Sequence, residues 1–194
     1  MEAGRRCFDT LSKDGVIRPD AIEVHDEIMK HVDDFIKCGK LLGDSGLSIG
    51  SGGNISVKMQ NGILIKSGGS KLSNMTPEDV VFVTAVEDDK IYFLGPKKPS
   101  SETVMHWKIY EKRRDISAIA HVNAGPLDGV EIFVTPVEIA WGTTELGEDT
   151  AKLMENRDVL MLKNHGVVTL GKTLEEATKK IIDYADRNKG YIFT

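Results

Sequence analysis

GSGGNISVKMQNGILIKSGGS, residues 50–70, is the stretch from which the fold can be read. Its middle holds two short segments, NISVK (54–58) and GILIK (62–66), whose branched and aliphatic residues suit strands. Asn61-Gly62 lies between them, and both residue types tolerate positive φ, so the pair marks a tight hairpin. Small polar loops flank the hairpin. GLSIGSGGN (46–54) has four glycines in nine residues, and SGGS (67–70) follows the second strand. Glycines let backbone N–H groups approach an anion closely, and Ser51 and Asn54 can add donors. The same composition also serves a plain connection between helix and strand.

Working outward, apolar residues recur at Val24, Ile28, Val32, Phe35 and Ile36 after Asp20, an N-cap type, and predict an amphipathic helix ending near Gly43. Downstream, Thr76-Pro77-Glu78-Asp79 reads as a capped helix start. VVFVT (80–84) and KIYFL (90–94) form a second hairpin across Glu87-Asp88-Asp89, and PSSE (99–102) opens a helix to about Arg114, capped by Ser100 or Ser101. ISAIAH (116–121), EIFV (131–134), DVLMLKN (158–164) and GVVTL (166–170) are strand-like. Thr173-Leu174-Glu175-Glu176 is a capping box for a last helix to about Lys189. Helices interleaved with hairpins predict an α/β fold with a central, largely antiparallel sheet flanked by helices. Residues 1–19 read as an N-terminal arm and 20–194 as one domain.

The chain has 194 residues, 40% hydrophobic and 28% charged, which suits a single globular domain. Its net charge of −5 is spread along the chain, with basic clusters no longer than Lys112-Arg113-Arg114, so nucleic acid is not an expected partner. No apolar run approaches the roughly 18–20 residues that span a bilayer, and MEAGRRCFDTLSKDG lacks the apolar core of a secretory signal. Cys7 and Cys38 form no disulfide framework. The expectation is a cytoplasmic protein without a membrane partner.

Gly166-Val-Val-Thr-Leu-Gly171-Lys172-Thr173 matches the phosphate-loop pattern G-x-x-x-x-G-K-[ST]. Its variable positions prefer extended strand to a cradle, and little chain follows it, so Lys172 and Thr173 are read as a turn residue and a helix cap. Of five histidines, His25, His31 and His106 lie in predicted helices and suit surface or packing roles. His121 and His165 each follow an apolar strand segment. Strand-end histidines can converge in one crevice, where neutral imidazole suits zinc and other borderline divalent ions. Glu102 follows Ser100-Ser101 in a helical first turn; a carboxylate beside a metal can act as ligand or base, and the same pattern also serves helix stability alone.

The order of these pieces resembles the class II aldolase/adducin family. The resemblance runs from about residue 25 to 187 and rests on GSGGNISVK, ILIKSGG with LSNMTPEDVVFV, KPSSETVMHWKIYEKRRDISAIAH, and LKNHGVVTLGKTLEEA. It implies an α/β fold with a central antiparallel sheet, and a divalent metal, zinc before manganese or cobalt, held by histidines beside a phosphate pocket. Ser51, Asn54, Gly68, Gly69, Ser70, Ser100 and Ser101 would line that pocket. Glu102 matches the family's acid/base glutamate, and His121 and His165 match metal histidines. Asn123 stands where the family has another metal histidine, and an amide oxygen favours harder ions. Only 43 residues separate His121 from His165, a segment that is longer by about a helix and a strand in fuculose-phosphate-type aldolases. Glycine also replaces the hydroxyl residue of the usual PSG loop, leaving Ser70 as the nearby hydroxyl.

The activity implied is a metal-dependent lyase, an aldolase acting on a phosphorylated ketose through a metal-stabilised enediolate. Family relatives also epimerise, dehydrate or decarboxylate. A non-catalytic, adducin-like assembly domain with an eroded metal site is the alternative that Asn123 motivates. A homo-oligomer, as large as a tetramer, is the quaternary expectation.

Overall fold

A computed structural model describes residues 19–87, 90–123, 134–140 and 142–186. Helix α1 (Pro19–Asp44) leads into the hairpin of β1 (Asn54–Met59) and β2 (Gly62–Lys66). Two short 3-10 turns, Leu72–Asn74 and Pro77–Asp79, precede β3 (Val80–Glu87) and β4 (Lys90–Leu94). Then follow α2 (Thr103–Lys112), β5 (Ala118–Val122), α3 (Thr144–Leu153), β6 (Val159–Leu162), β7 (Gly166–Gly171) and α4 (Leu174–Asp186). One seven-stranded sheet runs in the order β4-β3-β2-β1-β5-β7-β6, and each neighbouring pair is antiparallel.

Side chains alternate across this sheet with the period of two that strands impose. Ile55 and Val57 of β1, with Ala118, Ala120 and Val122 of β5, pack on one face with Phe35 and Leu42 of α1 and Ile181 of α4. The opposite face carries Ile63, Ile65, Ile119, Val168 and Leu170, covered by Met105 and Ile109 of α2 and Leu146 of α3. Asn54, Ser56 and His121 share that second face, so the polar residues of β1 and β5 lie beneath α2. Two helix layers sandwich a central sheet, and chemistry is confined to one side of it.

Several local expectations need correction. The β1–β2 turn is Gln60-Asn61, with Gly62 already paired to Met59. Gly62 is required there because a Cβ would collide with the Val83 carbonyl of the next strand. Pro19 is already helical, so Asp20 is not the cap of α1. Residues 76–79 make one 3-10 turn with a reciprocal Thr76–Asp79 capping box, too short to be a helix. Helix α2 starts at Thr103 with Glu102 at the capping position, and it stops at Lys112. Residues 1–18, the Asp88-Asp89 turn and most of EIFV lie outside the described residues. Val134, the last residue of EIFV, makes an isolated parallel bridge to Met161. Helix α3 was not foreseen. Thr143 caps it, accepting from the Leu146 amide at 3.2 Å. The phosphate-loop look-alike is β7 itself, fully buried and paired on both sides, so its amides serve the sheet.

Candidate metal centre and anion cavity

Strand pairing sets the site. Asn54 at the start of β1 lies opposite His121 near the end of β5, and His121 in turn lies opposite Val168 of β7. The turn before β7 carries His165, entered through Asn164 in a left-handed conformation (φ 57°). The third contributor is Glu102, at the N-terminus of α2 above this face. Glu102 and His121 are buried, and the His165 side chain is 11% exposed.

The carboxylate stands between the two imidazoles. Glu102 Oε2 is 3.2 Å from His121 Nε2, and Oε1 is 2.8 Å from His165 Nε2. The two rings meet edge to face with centroids 4.9 Å apart. His121 donates its Nδ1 proton to the Val167 carbonyl at 3.0 Å, which leaves the Nε2 lone pair facing Glu102. Neither His121 Nε2 nor Glu102 Oε1 has a hydrogen-bond partner of acceptable geometry. One ligand atom from each residue falls within 4.8 Å of the others.

Buried lone pairs that face one another without protons between them fit a bridging cation. Two imidazoles and a carboxylate are a donor set for a borderline divalent ion. Burial pushes the His121 pKa down, so the ring stays neutral, the form that can ligate a cation. Burial alone would raise the Glu102 carboxyl, but His121, His165 and the Asn54 amide outweigh it and hold the group well below the usual carboxylate range. Asn54 Nδ2 donates to Glu102 Oε2 at 2.5 Å, so Asn54 steadies the carboxylate.

A polar cavity of about 260 Å³ opens beside the trio. Ser51, Asn54, Gly68, Gly69, Ser100 and Ser101 lie in its wall together with Glu102, Asn123 and His165. Ser70 is set back, its hydroxyl donating to the Ser67 carbonyl at 3.0 Å. Asn123 turns its side-chain oxygen to the Gly53 amide at 3.3 Å. The close packing of the Gly50–Gly53 loop on β5 demands glycine at 53, where φ is 73° and a Cβ would lie 2.7 Å from the His121 carbonyl. Among the described residues, the backbone amides of Ser51, Gly69 and Ser101 have no hydrogen-bond acceptor, so they remain available to an anion.

Lys66 was missed in the sequence, where it reads as the last residue of a strand. Its ammonium is buried at the base of the cavity and donates to the carbonyls of Ser51 (3.4 Å), Ser67 (3.1 Å) and Ser70 (2.7 Å). One cation thereby fastens both glycine loops and lends positive charge to the cavity. Burial lowers its pKa to about 8, partly offset by Asp79 and Glu102. A lysine that ends an otherwise apolar, buried strand is the signal that could have found it, because an unpaired ammonium is costly there.

His106, one turn after Glu102 on α2, was read as a surface or packing histidine and is fully buried. Its Nδ1 is 2.6 Å from the Ser56 hydroxyl, which also lies 2.9 Å from the Tyr110 hydroxyl. Burial pushes His106 down to about 3, so it stays neutral. This cluster and the Asn54–Glu102 bond are two polar ties between β1 and α2.

The sequence matches the Class II Aldolase and Adducin N-terminal domain over residues 33–125 and 128–187. It is 36% identical over 168 residues to the L-fuculose phosphate aldolase of Methanococcus maripaludis strain C5, covering 77% of this chain and 89% of that one. A 5-methylthioribulose-1-phosphate/5-deoxyribulose-1-phosphate aldolase of Rhodospirillum rubrum is 30% identical over 165 residues, covering 75% and 73% of the two chains. Among solved structures, an L-fuculose 1-phosphate aldolase superposes with a TM-score of 0.69 at 28% identity, covering 84% of each chain.

Proposed function

Because the chain belongs to the class II aldolase/adducin family, we propose that it is a divalent-metal-dependent aldolase that makes or cleaves a carbon–carbon bond in a phosphorylated ketose. The observation that supports this most is the convergence of Glu102, His121 and His165 beside a cavity with unpartnered amides and a buried lysine.

In this reading His121, His165 and Glu102 would hold the ion, zinc before manganese or cobalt, and Asn123 would offer a weak oxygen donor if its bond to the Gly53 amide opened. When bound, the ion supplies Lewis-acid stabilisation of negative charge on the ketose oxygens. The phosphate is taken by the amides of Ser51, Gly69 and Ser101, with Gly68, Ser70 and Ser100 shaping the loops and Lys66 as counter-charge. In the synthetic direction Glu102 removes a proton from the hydroxymethyl carbon of dihydroxyacetone phosphate. The electron pair left on carbon forms the new bond to an aldehyde carbonyl carbon. The former aldehyde oxygen then takes up the proton that Glu102 removed from carbon, which restores the carboxylate. Asn54 keeps the carboxylate aimed, while the Val167 carbonyl fixes the tautomer of His121.

No helix among the described residues is long and apolar enough to cross a membrane. A cytoplasmic homo-oligomer, a tetramer in the fullest form, is the accompanying proposal, with residues 20–194 as its one domain and 1–19 as an arm.

The direct test is exchange of the hydroxymethyl proton of dihydroxyacetone phosphate with deuterated solvent, with metal content measured on the same sample. Exchange that depends on metal and is lost in Glu102→Gln is expected. A protein that takes up no zinc, manganese or cobalt and catalyses no exchange would refute the aldolase reading and favour the non-catalytic assembly domain that Asn123 suggests.

A further inference from the structure

We infer that Thr150 of α3 is a positioning residue for His165. Through one bridging water its hydroxyl takes the proton on the outward ring nitrogen, Nδ1, and so keeps the Nε2 lone pair turned to the metal centre. This rests on the metal-site reading above and adds to it a residue outside the trio. It concerns the ring alone, since β7 sets where the backbone of His165 stands.

The two histidines differ on the side away from Glu102. His121 has its Nδ1 tied to the Val167 carbonyl at 3.0 Å. His165 brings Nε2 to 2.8 Å from Glu102 Oε1, but its Nδ1 is buried and has no hydrogen-bond partner. For Nε2 to offer its lone pair to an ion, Nδ1 must carry the ring proton, and a buried N–H without an acceptor is costly. Thr150 Oγ1 is a second buried polar atom without a partner. A threonine inside a helix ordinarily returns its hydroxyl to the carbonyl one turn back or gives it to solvent. Thr150 does neither, and the residue is 1% exposed. It shares the inward face of α3 with Leu146, one turn earlier. The hydroxyls of Thr103, Thr143 and Thr169, by contrast, donate to backbone carbonyls at 2.6, 2.7 and 2.7 Å.

Thr150 and His165 stand in the wall of one further cavity of about 200 Å³. A water needs only about 30 Å³ and at least two polar partners. The other hydroxyl in this wall, on Thr135, already accepts from the Lys163 amide at 2.9 Å and donates to the Val137 carbonyl at 3.0 Å. Asp149, Lys152 and Lys163 of the same wall are exposed and keep their own water. The buried pair therefore complete one another, with the water accepting from Nδ1 and donating to Oγ1. Partners of this kind fix the orientation and tautomer of a metal-binding imidazole.

The test measures zinc affinity by chelator competition in the wild type, Thr150→Val and Thr150→Ser, and follows the nitrogen NMR resonance of His165 Nδ1 in the same proteins. Valine keeps the shape of threonine and removes only the hydroxyl. Thr150→Val should bind zinc about tenfold more weakly and displace the Nδ1 resonance, while the Tm of the metal-free protein holds or rises because an unpartnered hydroxyl is gone. Thr150→Ser should recover the wild-type values. The inference is overturned if either the affinity or the resonance of Thr150→Val matches wild type, or if serine fails to recover them. Should the wild type take up no zinc, manganese or cobalt, the metal-site reading itself fails. The Nδ1 resonance of the metal-free proteins then decides alone: displacement in Thr150→Val upholds the tie between Thr150 and His165, and an unmoved resonance overturns it.

Discussion

The trio of Glu102, His121 and His165 and the glycine-loop cavity are neighbours, yet they are held in place by different means. His121 is fixed by backbone pairing on both sides, to Asn54 of β1 and Val168 of β7, and His165 follows from where β7 begins. The cavity loops have few such ties, and a single buried ammonium gathers the carbonyls of Ser51, Ser67 and Ser70. The first arrangement draws on the cooperative sheet, whereas the second concentrates its integrity in one side chain. Substitutions should therefore separate the two regions cleanly.

The largest effect is expected at the trio. His165→Ala should abolish tight metal binding and with it turnover, as read by metal content and by the loss of the metal-induced rise in Tm. Sheet and helices should be unaffected, since the His165 ring is not part of the core cluster. Glu102→Gln should lower turnover by about a thousandfold and leave affinity for a phosphorylated ligand close to wild type, measured by calorimetry. A parallel loss of ligand affinity would mean that the trio and the cavity are not separable.

Lys66→Met strikes the other region. Three carbonyls lose their donor, so stability should fall by about 3 kcal/mol and KM for the phosphorylated substrate should rise more than kcat falls. Its pH signature follows from a pKa of about 8 against an ordinary 10.5. The folded protein releases this proton first, so between about pH 8 and 10.5 the group's contribution to stability rises with pH. Substrate affinity moves the opposite way. The charge facing the phosphate is lost as pH passes 8, so wild-type KM should climb from pH 7 to 9 while the Met variant shows no such climb. The smallest change expected is Asn123→His, which should tighten zinc by about tenfold by adding an imidazole to the donor set, checked by competition with a chromogenic chelator.

The sequence revealed the trio better than the cavity for a physical reason. Strand-end histidines after apolar runs announce themselves, because the period of two and the turn residues say where each side chain emerges. ISAIAH and DVLMLKN carried that pattern, and the structure brings their histidines to Glu102. The hairpin at 54–66 was legible too, although the turn lies one residue earlier because Gly62 is demanded by the backbone of β3 rather than by the turn. Helix α3 was hidden. It has ten residues, includes Gly147, and its only fully buried apolar side chains are Leu146 and Ala151, which is little signal in a short segment; Gly147 is there because α2 passes within 3.3 Å of where a Cβ would be. His106 could not be placed by pattern, since its partner Ser56 lies 50 residues away in the chain, and the lysine that closes β2 gave a cue to its burial but not to the loop carbonyls it gathers.

The pairing of β5 with β7 also bears on how this scaffold can change over time. His121 and His165 are registered through β7, whereas the described part of the excursion between β5 and β6 meets the sheet edge at Val134 and Thr135 beside Met161. Residues can be added to or removed from that excursion without shifting either histidine. It is a graft point, where natural variation or laboratory recombination can exchange what borders the substrate while leaving the reaction centre intact.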